Sequence, residues 1–192
     1  MDERYHRWRN TKEPGQACFV TATCLDFAHL FSRSEMRTRM SLHLLEDCVR
    51  YKARLHAFVV MTHHIHFLVT PHATQTISYL VQQIKRRSAK DLRSHLVVSE
   101  LTQLQQQLGL NENRFWKNGF RGNPMLTPDV FRQKRHYIHL NPVRSGFVKD
   151  PAEYIWSSYF LLANEMFDED NGVDLVKAIQ FYESHLATGK SD

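Results

Sequence analysis

The heptapeptide HHIHFLV, His63 to Val69, puts three imidazoles within four residues. Imidazoles at that density can hold a metal ion. In a strand, successive side chains alternate faces, so His64 and His66 point the same way and His63 the other. Same-face neighbours stand about 6.6–6.8 Å apart along the backbone, and two rings can converge on one cation from there. Ile65, Phe67 and Val69 then form an apolar reverse face. The pattern has a plainer reading as well. A chain with 12 histidines yields His-x-His pairs by chance, as polar positions on a half-exposed sheet. On this motif alone the plainer reading is preferred.

A second constellation lies far along the chain, in YIHLNPVRSGFV, residues 137–148. Tyr137 and Asn141 are four apart and share one face of a helix. The phenol of Tyr137 can attack phosphorus, and the side-chain carbonyl of Asn141 can reach a cation one turn away. A lone tyrosine here is otherwise a half-buried aromatic beside Val130 and Phe131.

These residues need elements to hold them. ACFVTATCL (residues 17–25) reads as a strand. Ser34 is the expected N-cap of a helix whose Met36, Met40, Leu44 and Cys48 form one stripe. RLHAFVVMT and HIHFLVTP read as two strands broken near Thr62–His63. Residues 76–96 carry Ile77, Leu80, Val81, Ile84 and Leu92 at helical spacing. The Gln- and Leu-rich stretch 99–110 suggests a short helix. NRFWKNGFRGNPM reads as a hairpin or one aromatic strand, with turn signals at Asn118–Gly119 and Gly122–Asn123. Thr127 and Pro128 then open a helix as N-cap and N1. It is expected to stop at Asn141, because Pro142 disfavours helical geometry for the residue before it.

The order strand, helix, strand, strand, helix, strand, helix predicts an α+β fold. Its first six elements match a ferredoxin-like split βαβ sandwich with an antiparallel sheet. The seventh is an additional helix, the one that carries Tyr137. One domain is expected over residues 1–165. A C-terminal helical tail, 166–192, is expected to pack on it through the amphipathic run VDLVKAIQFYESHL.

Composition narrows the class. The 192 residues suit one domain, and 42% hydrophobic with 23% charged residues is ordinary for a globular core. A net charge of +5 suggests a polyanionic partner but does not require one. Three cysteines, Cys18, Cys24 and Cys48, with no CxxC, do not make a disulfide framework or a zinc cluster. The polar start MDERYHRWRNTKEPGQ and the lack of a long apolar run point to a cytoplasmic protein that does not enter a membrane.

The two motifs together resemble those of the REP-associated tyrosine transposases, a branch of the HUH endonuclease superfamily with the IS200-like transposase domain. The carrying residues are MTHHIHFLV, Met61 to Val69, and YIHLNPVRSGFV, in that order along roughly residues 15–160. Thr62 and His63 stand where the family has Pro and Asn, and the stretch from Leu96 to Asn113 is longer than the family leads one to expect. The resemblance implies a nucleoid-associated enzyme that cleaves and rejoins single-stranded DNA at palindromic hairpins. It implies Tyr137 as nucleophile, through a 5′-phosphotyrosyl intermediate. It also implies His64 and His66, with Asn141 as third ligand, for one Mg or Mn ion. His63 and His139 are expected beside the site rather than in it.

Basic residues supply the expected DNA contacts. Arg86, Lys90 and Arg93 form a stripe, with Lys85 and Arg87 beside it. Arg132, Lys134, Arg135 and Arg144 share the helix of Tyr137. Lys117 and Arg121 interleave with Phe115, Trp116 and Phe120, which suits unpaired nucleotides. Each is equally a solvated helix face or a core aromatic. A domesticated, catalytically idle hairpin-binding protein is the alternative, and a metal phosphodiesterase or structural zinc protein a further one. The short links around Tyr137 predict a monomer.

Overall fold

Four strands form one antiparallel sheet in the computed structural model, which describes residues 11–98, 102, 114–168 and 172–188. They are β1 (Cys18–Thr23), β2 (Arg54–Val60), β3 (His64–Thr70) and β4 (Arg121–Pro124), in the order β2-β3-β1-β4. That order, with α1 (Ser34–Arg50) linking β1 to β2 and α2 (Ile77–Ser94) linking β3 to β4, is the expected split βαβ sandwich. The register sets Thr21 of β1 and Val59 of β2 opposite His66, and Thr23 opposite His64.

The pleat then sorts side chains by parity. Cys18, Val20, Ala22, Ile65, Phe67 and Val69 are all buried on one face. The helices supply the matching apolar stripes, with Met36, Met40, Leu44 and Cys48 on α1 and Ile77, Leu80, Val81, Ile84 and Leu92 on α2, all buried. Each such side chain contributes about 1.5–3 kcal/mol on burial. The other face carries Phe19, Thr21, Thr23, His64 and His66.

Arg33, not Ser34, is the N-cap of α1, and no side chain caps it. Glu35 holds Arg33 and Arg39 at 3.0 and 2.9 Å instead. The Oγ1 of Thr76 caps α2 by accepting from the Tyr79 amide. α1 and α2 are tied across their interface by Arg87, whose Nε donates to Asp47 Oδ1 at 2.6 Å. The Asp47 side chain is 0% exposed. Burial raises the pKa of its carboxyl against the opposing pull of Arg87. Arg87→Met strips a buried carboxylate of its partner and is expected to cost about 3–5 kcal/mol. Urea unfolding measures this, and a loss under about 1 kcal/mol would show that the pair holds nothing.

α3 (Pro128–Arg144) begins as expected, with the Thr127 Oγ1 accepting from Val130 N–H at 3.3 Å. It does not stop at Asn141. Pro142 lies inside its last turn. A proline so near the end forfeits little, and the true stop is Gly146, in the left-handed region at φ +74°. Gly146 N–H donates to Val143 O at 3.0 Å and Phe147 N–H to Pro142 O at 2.9 Å, a Schellman closure.

The aromatic segment before β4 also departs from expectation. Phe115 and Trp116 are buried in the core, and Trp116 forms a single bridge to Cys24, the residue after β1. The turn at Asn118–Gly119 is present, with Gly119 at φ +68°. The second turn signal, Gly122–Asn123, falls within β4 and pairs with Val20 and Phe19. Pairing with β1 overrides its local turn preference.

After α3 the chain returns to the outer edge of β2. Val60 N–H donates to Trp156 O at 2.9 Å, Val59 bridges Ser157, and Phe58 N–H donates to Ser158 Oγ at 2.9 Å. There follow α4 (Ser158–Ala163), a small hairpin of β5 (Phe167–Asp168) and β6 (Gly172–Val173), and α5 (Leu175–Thr188). α5 lies against α1 and buries Ala178 and Tyr182. The Tyr182 hydroxyl donates to Ile155 O at 2.5 Å. Apart from Thr102, the stretch 99–110 lies outside the described residues. Among the described residues, no helix is long and apolar enough to cross a membrane. The three cysteines are free and buried, and burial pushes the Cys18 thiol up to about 11.

Candidate active site

Parity on β3 brings His64 and His66 to the face opposite α1 and α2, and α3 lies over that face. The two rings are 4.5 Å apart. The Tyr137 ring stands 5.4 Å from His66 and 5.9 Å from Phe19. Residues separated by some seventy positions thus share a cleft of about 700 Å³, which Thr21, Thr23, Phe27, His63, Lys117, Arg121 and Lys134 also line.

The imidazoles are held neutral. Burial pushes the pKa of His66 down to about 3, and the neighbouring His64, His63 and Lys134 add to the effect. His64 falls to about 4, through burial and then through His63 and His29. A neutral imidazole is the form that ligates a metal. Thr21 Oγ1 shares a 2.9 Å hydrogen bond with His66 Nδ1, which leaves Nε2 as the ring's free nitrogen. His64 Nδ1 is buried without a hydrogen-bond partner. Two neutral, adjacent rings, one with an orphaned nitrogen, fit a divalent ion. Among the described residues, no three His, Cys, Asp or Glu side chains converge as a ligand set. Asn141 is buried one turn beyond Tyr137 on α3 and does not line the cleft.

Cations gather at Tyr137. Lys134 Nζ lies 5.2 Å from the Phe19 ring and 5.7 Å from the Tyr137 ring. The Arg144 guanidinium is also 5.7 Å from Tyr137. The other basic residues are spread more widely. Lys85 donates to Lys117 O at 2.7 Å and Gly119 O at 2.5 Å, and burial pushes its pKa down to about 8. It holds the loop that presents Lys117. Arg87 is bound to Asp47, Arg86 to Gln83 and Arg132 to Asp129. Arg86 and Lys90 are exposed on α2, while Arg93 and Arg135 are half-buried.

His63 does not point away as strand alternation predicts. It precedes β3, in the bend, where alternation does not apply. Its ring lies 4.4 Å from His64 and 5.0 Å from His29, which shares a 2.8 Å hydrogen bond with Thr62 Oγ1. His139 faces away from the cleft. It shares a 2.9 Å hydrogen bond with Ser158 Oγ, and burial lowers its pKa to about 4. Sequence reasoning missed Thr21, Thr23, Phe27 and His29. The alternation Thr21-Ala22-Thr23 did carry a signal, because β1 neighbours β3 in this fold.

The profile described as Transposase IS200 like matches residues 23–141. A Haemophilus influenzae protein assigned as a REP-associated tyrosine transposase is 26% identical over 133 residues, 66% of this chain and 71% of the relative. Among solved structures, a REP-associated tyrosine transposase bound to a REP hairpin superposes with a TM-score of 0.60 at 20% identity, over 88% of this chain and 90% of that one.

Proposed function

The chain belongs to the IS200-like transposase family, and we propose that it is a single-strand DNA endonuclease and strand transferase acting at palindromic repeat hairpins in the nucleoid. One observation carries this reading: Tyr137 stands 5.4 Å from His66 and beside His64 in a cation-lined cleft. The Tyr137 hydroxyl attacks the scissile phosphorus. The bond to the 3′ oxygen breaks, leaving a free 3′-OH and a 5′-phosphotyrosyl link. That link keeps the energy of a phosphodiester, so a second 3′-OH can reverse the step and rejoin strands without ATP.

His64 and His66 would hold one Mg or Mn ion, with Asn141 as the third ligand that the family resemblance implies, although its side chain is buried outside the cleft lining. When bound, the ion supplies a Lewis acid at the scissile phosphate. Thr21 fixes the orientation of His66. Lys117, Arg121, Lys134 and Arg144 bind backbone phosphates, and Arg86, Lys90 and Arg93 extend the contact along the duplex. The family relative of known structure binds a REP hairpin, which supports hairpin DNA as the partner.

The protein acts as a monomer with Tyr137 in cis, and the approach of Tyr137 to His66 within one chain supports this. The test combines two dead variants. A labelled hairpin oligonucleotide with Mn²⁺ should give a protein–DNA band on a denaturing gel with the wild type. Tyr137→Phe, His64→Ala and their mixture should give none. A band from the mixture means that subunits share sites. No band from the wild type with any hairpin removes the cleavage reading.

A further inference from the structure

At the mouth of the cleft a turn, residues 25–27, follows β1 and carries an exposed aromatic. Leu25 N–H donates to Phe115 O at 3.0 Å, and Ala28 N–H to Leu25 O at 3.0 Å, so both ends are tied down. Leu25, Ala28 and Leu30 are buried and supply the turn's share of the core. Phe27 does not join them. It is 56% exposed, more than most large apolar side chains in the described fold, and it lines the cleft. Asp26 and Phe27 both lie in the left-handed region, at φ +48° and +59°. Glycine adopts that conformation freely, whereas a bulky aromatic there is strained. The strain brings no burial. It places a phenyl ring at the rim, 6.1 Å from His63. Lys117 Nζ lies 4.9 Å from the same ring, on a segment fixed by Lys117 N–H donating to Thr23 O at 2.9 Å.

We propose that Phe27 is a stacking platform for one unpaired nucleobase flanking the scissile phosphate, with Lys117 holding that nucleotide's backbone. The proposal rests on the DNA-cleaving reading above. An exposed ring with a cation over one face, near His63 in the same cleft as the histidine pair, has the two features that single-stranded nucleic acid recognises: a π-face for the base and a charge for the phosphate. Stacking tolerates any base, so Phe27 sets where the unpaired strand sits rather than which sequence is chosen.

The experiment measures equilibrium binding, by fluorescence anisotropy, of a short DNA hairpin with oligothymidylate tails. Single abasic sites are stepped through the tails. In the wild type one abasic position should weaken binding roughly ten- to hundred-fold. With Phe27→Leu, which keeps an apolar side chain of similar size, intact DNA should bind that much more weakly and the abasic penalty at that position should vanish. Phe27→Trp should restore both. Identical abasic profiles in wild type and Phe27→Leu overturn the proposal, as does an unchanged affinity in Phe27→Leu. Because Phe27 is exposed, the thermal midpoints of all three proteins should agree, and a fall confined to Phe27→Leu would mark the ring as structural and overturn the proposal. If the wild type binds no tailed hairpin at all, the DNA-cleaving reading fails and takes this one with it. If it binds and cleaves but shows no coupling, only the platform fails.

Discussion

Tyr137→Phe should bind a hairpin oligonucleotide within a few-fold of the wild type and form no covalent adduct. The substitution removes one oxygen. The ring keeps its edge contacts with His66 at 5.4 Å and Phe19 at 5.9 Å, and Lys134 and Arg144 keep an aromatic face beside them. Phosphate contacts, which dominate affinity, are untouched. The reacting group is gone. A denaturing gel with labelled DNA gives the answer directly. An adduct of wild-type yield from the Phe variant would remove Tyr137 as nucleophile and direct attention to another hydroxyl in the cleft.

The second large effect belongs to the histidine pair. His66→Ala and His64→Ala should each lower cleavage on the order of a thousand-fold, since a Lewis acid at a scissile phosphate supplies several kcal/mol and each 1.36 kcal/mol is tenfold. The fold should persist. His66 lies on a central strand, but its loss leaves a small cavity and one unpartnered hydroxyl, Thr21 Oγ1, worth about 1–3 kcal/mol. Calorimetry separates folding from activity, and Mn²⁺ titration separates metal binding from both. Wild-type cleavage by both variants in saturating Mn²⁺ would rule out a catalytic metal on these rings.

Much of this site could be read from the sequence because its spacing is rigid. Period two on β3 settles that His64 and His66 share a face, whereas period 3.6 on α3 puts Asn141 one turn beyond Tyr137 but leaves it buried and outside the cleft lining. What spacing cannot supply is the company these residues keep. His63 joins the cluster because it sits in a bend, where no period holds. His29 and Phe27 arrive on an irregular turn after β1, and only tertiary contacts aim them. Pro142 marked a helix end that lies at Gly146, because a local penalty in a last turn yields to a well-made cap. Phe115 and Trp116 looked like strand residues for the same reason that they fill the core: large apolar rings suit either. The basic residues were the least legible. Nothing in their spacing distinguishes Lys134, beside Tyr137, from Arg87, which is paired with a buried carboxylate.

The strip of chain that seals the outer edge of β2 also has a meaning for the order in which the protein is made. Phe58 is joined to Ser158 across 100 residues of sequence. On a ribosome, β1, β2 and β3 emerge long before residues 154–158 do, and synthesis runs at about 5–20 residues per second. For those seconds the nascent sheet carries an open edge, the kind of surface that recruits strands from other chains. A stretch translated 100 residues after β2 is therefore the one that ends this exposure. A premature stop before Tyr154 leaves the cleft's residues all present in a chain whose sheet can still add strands, and such a product is expected to be lost to aggregation or proteolysis rather than to inactivity.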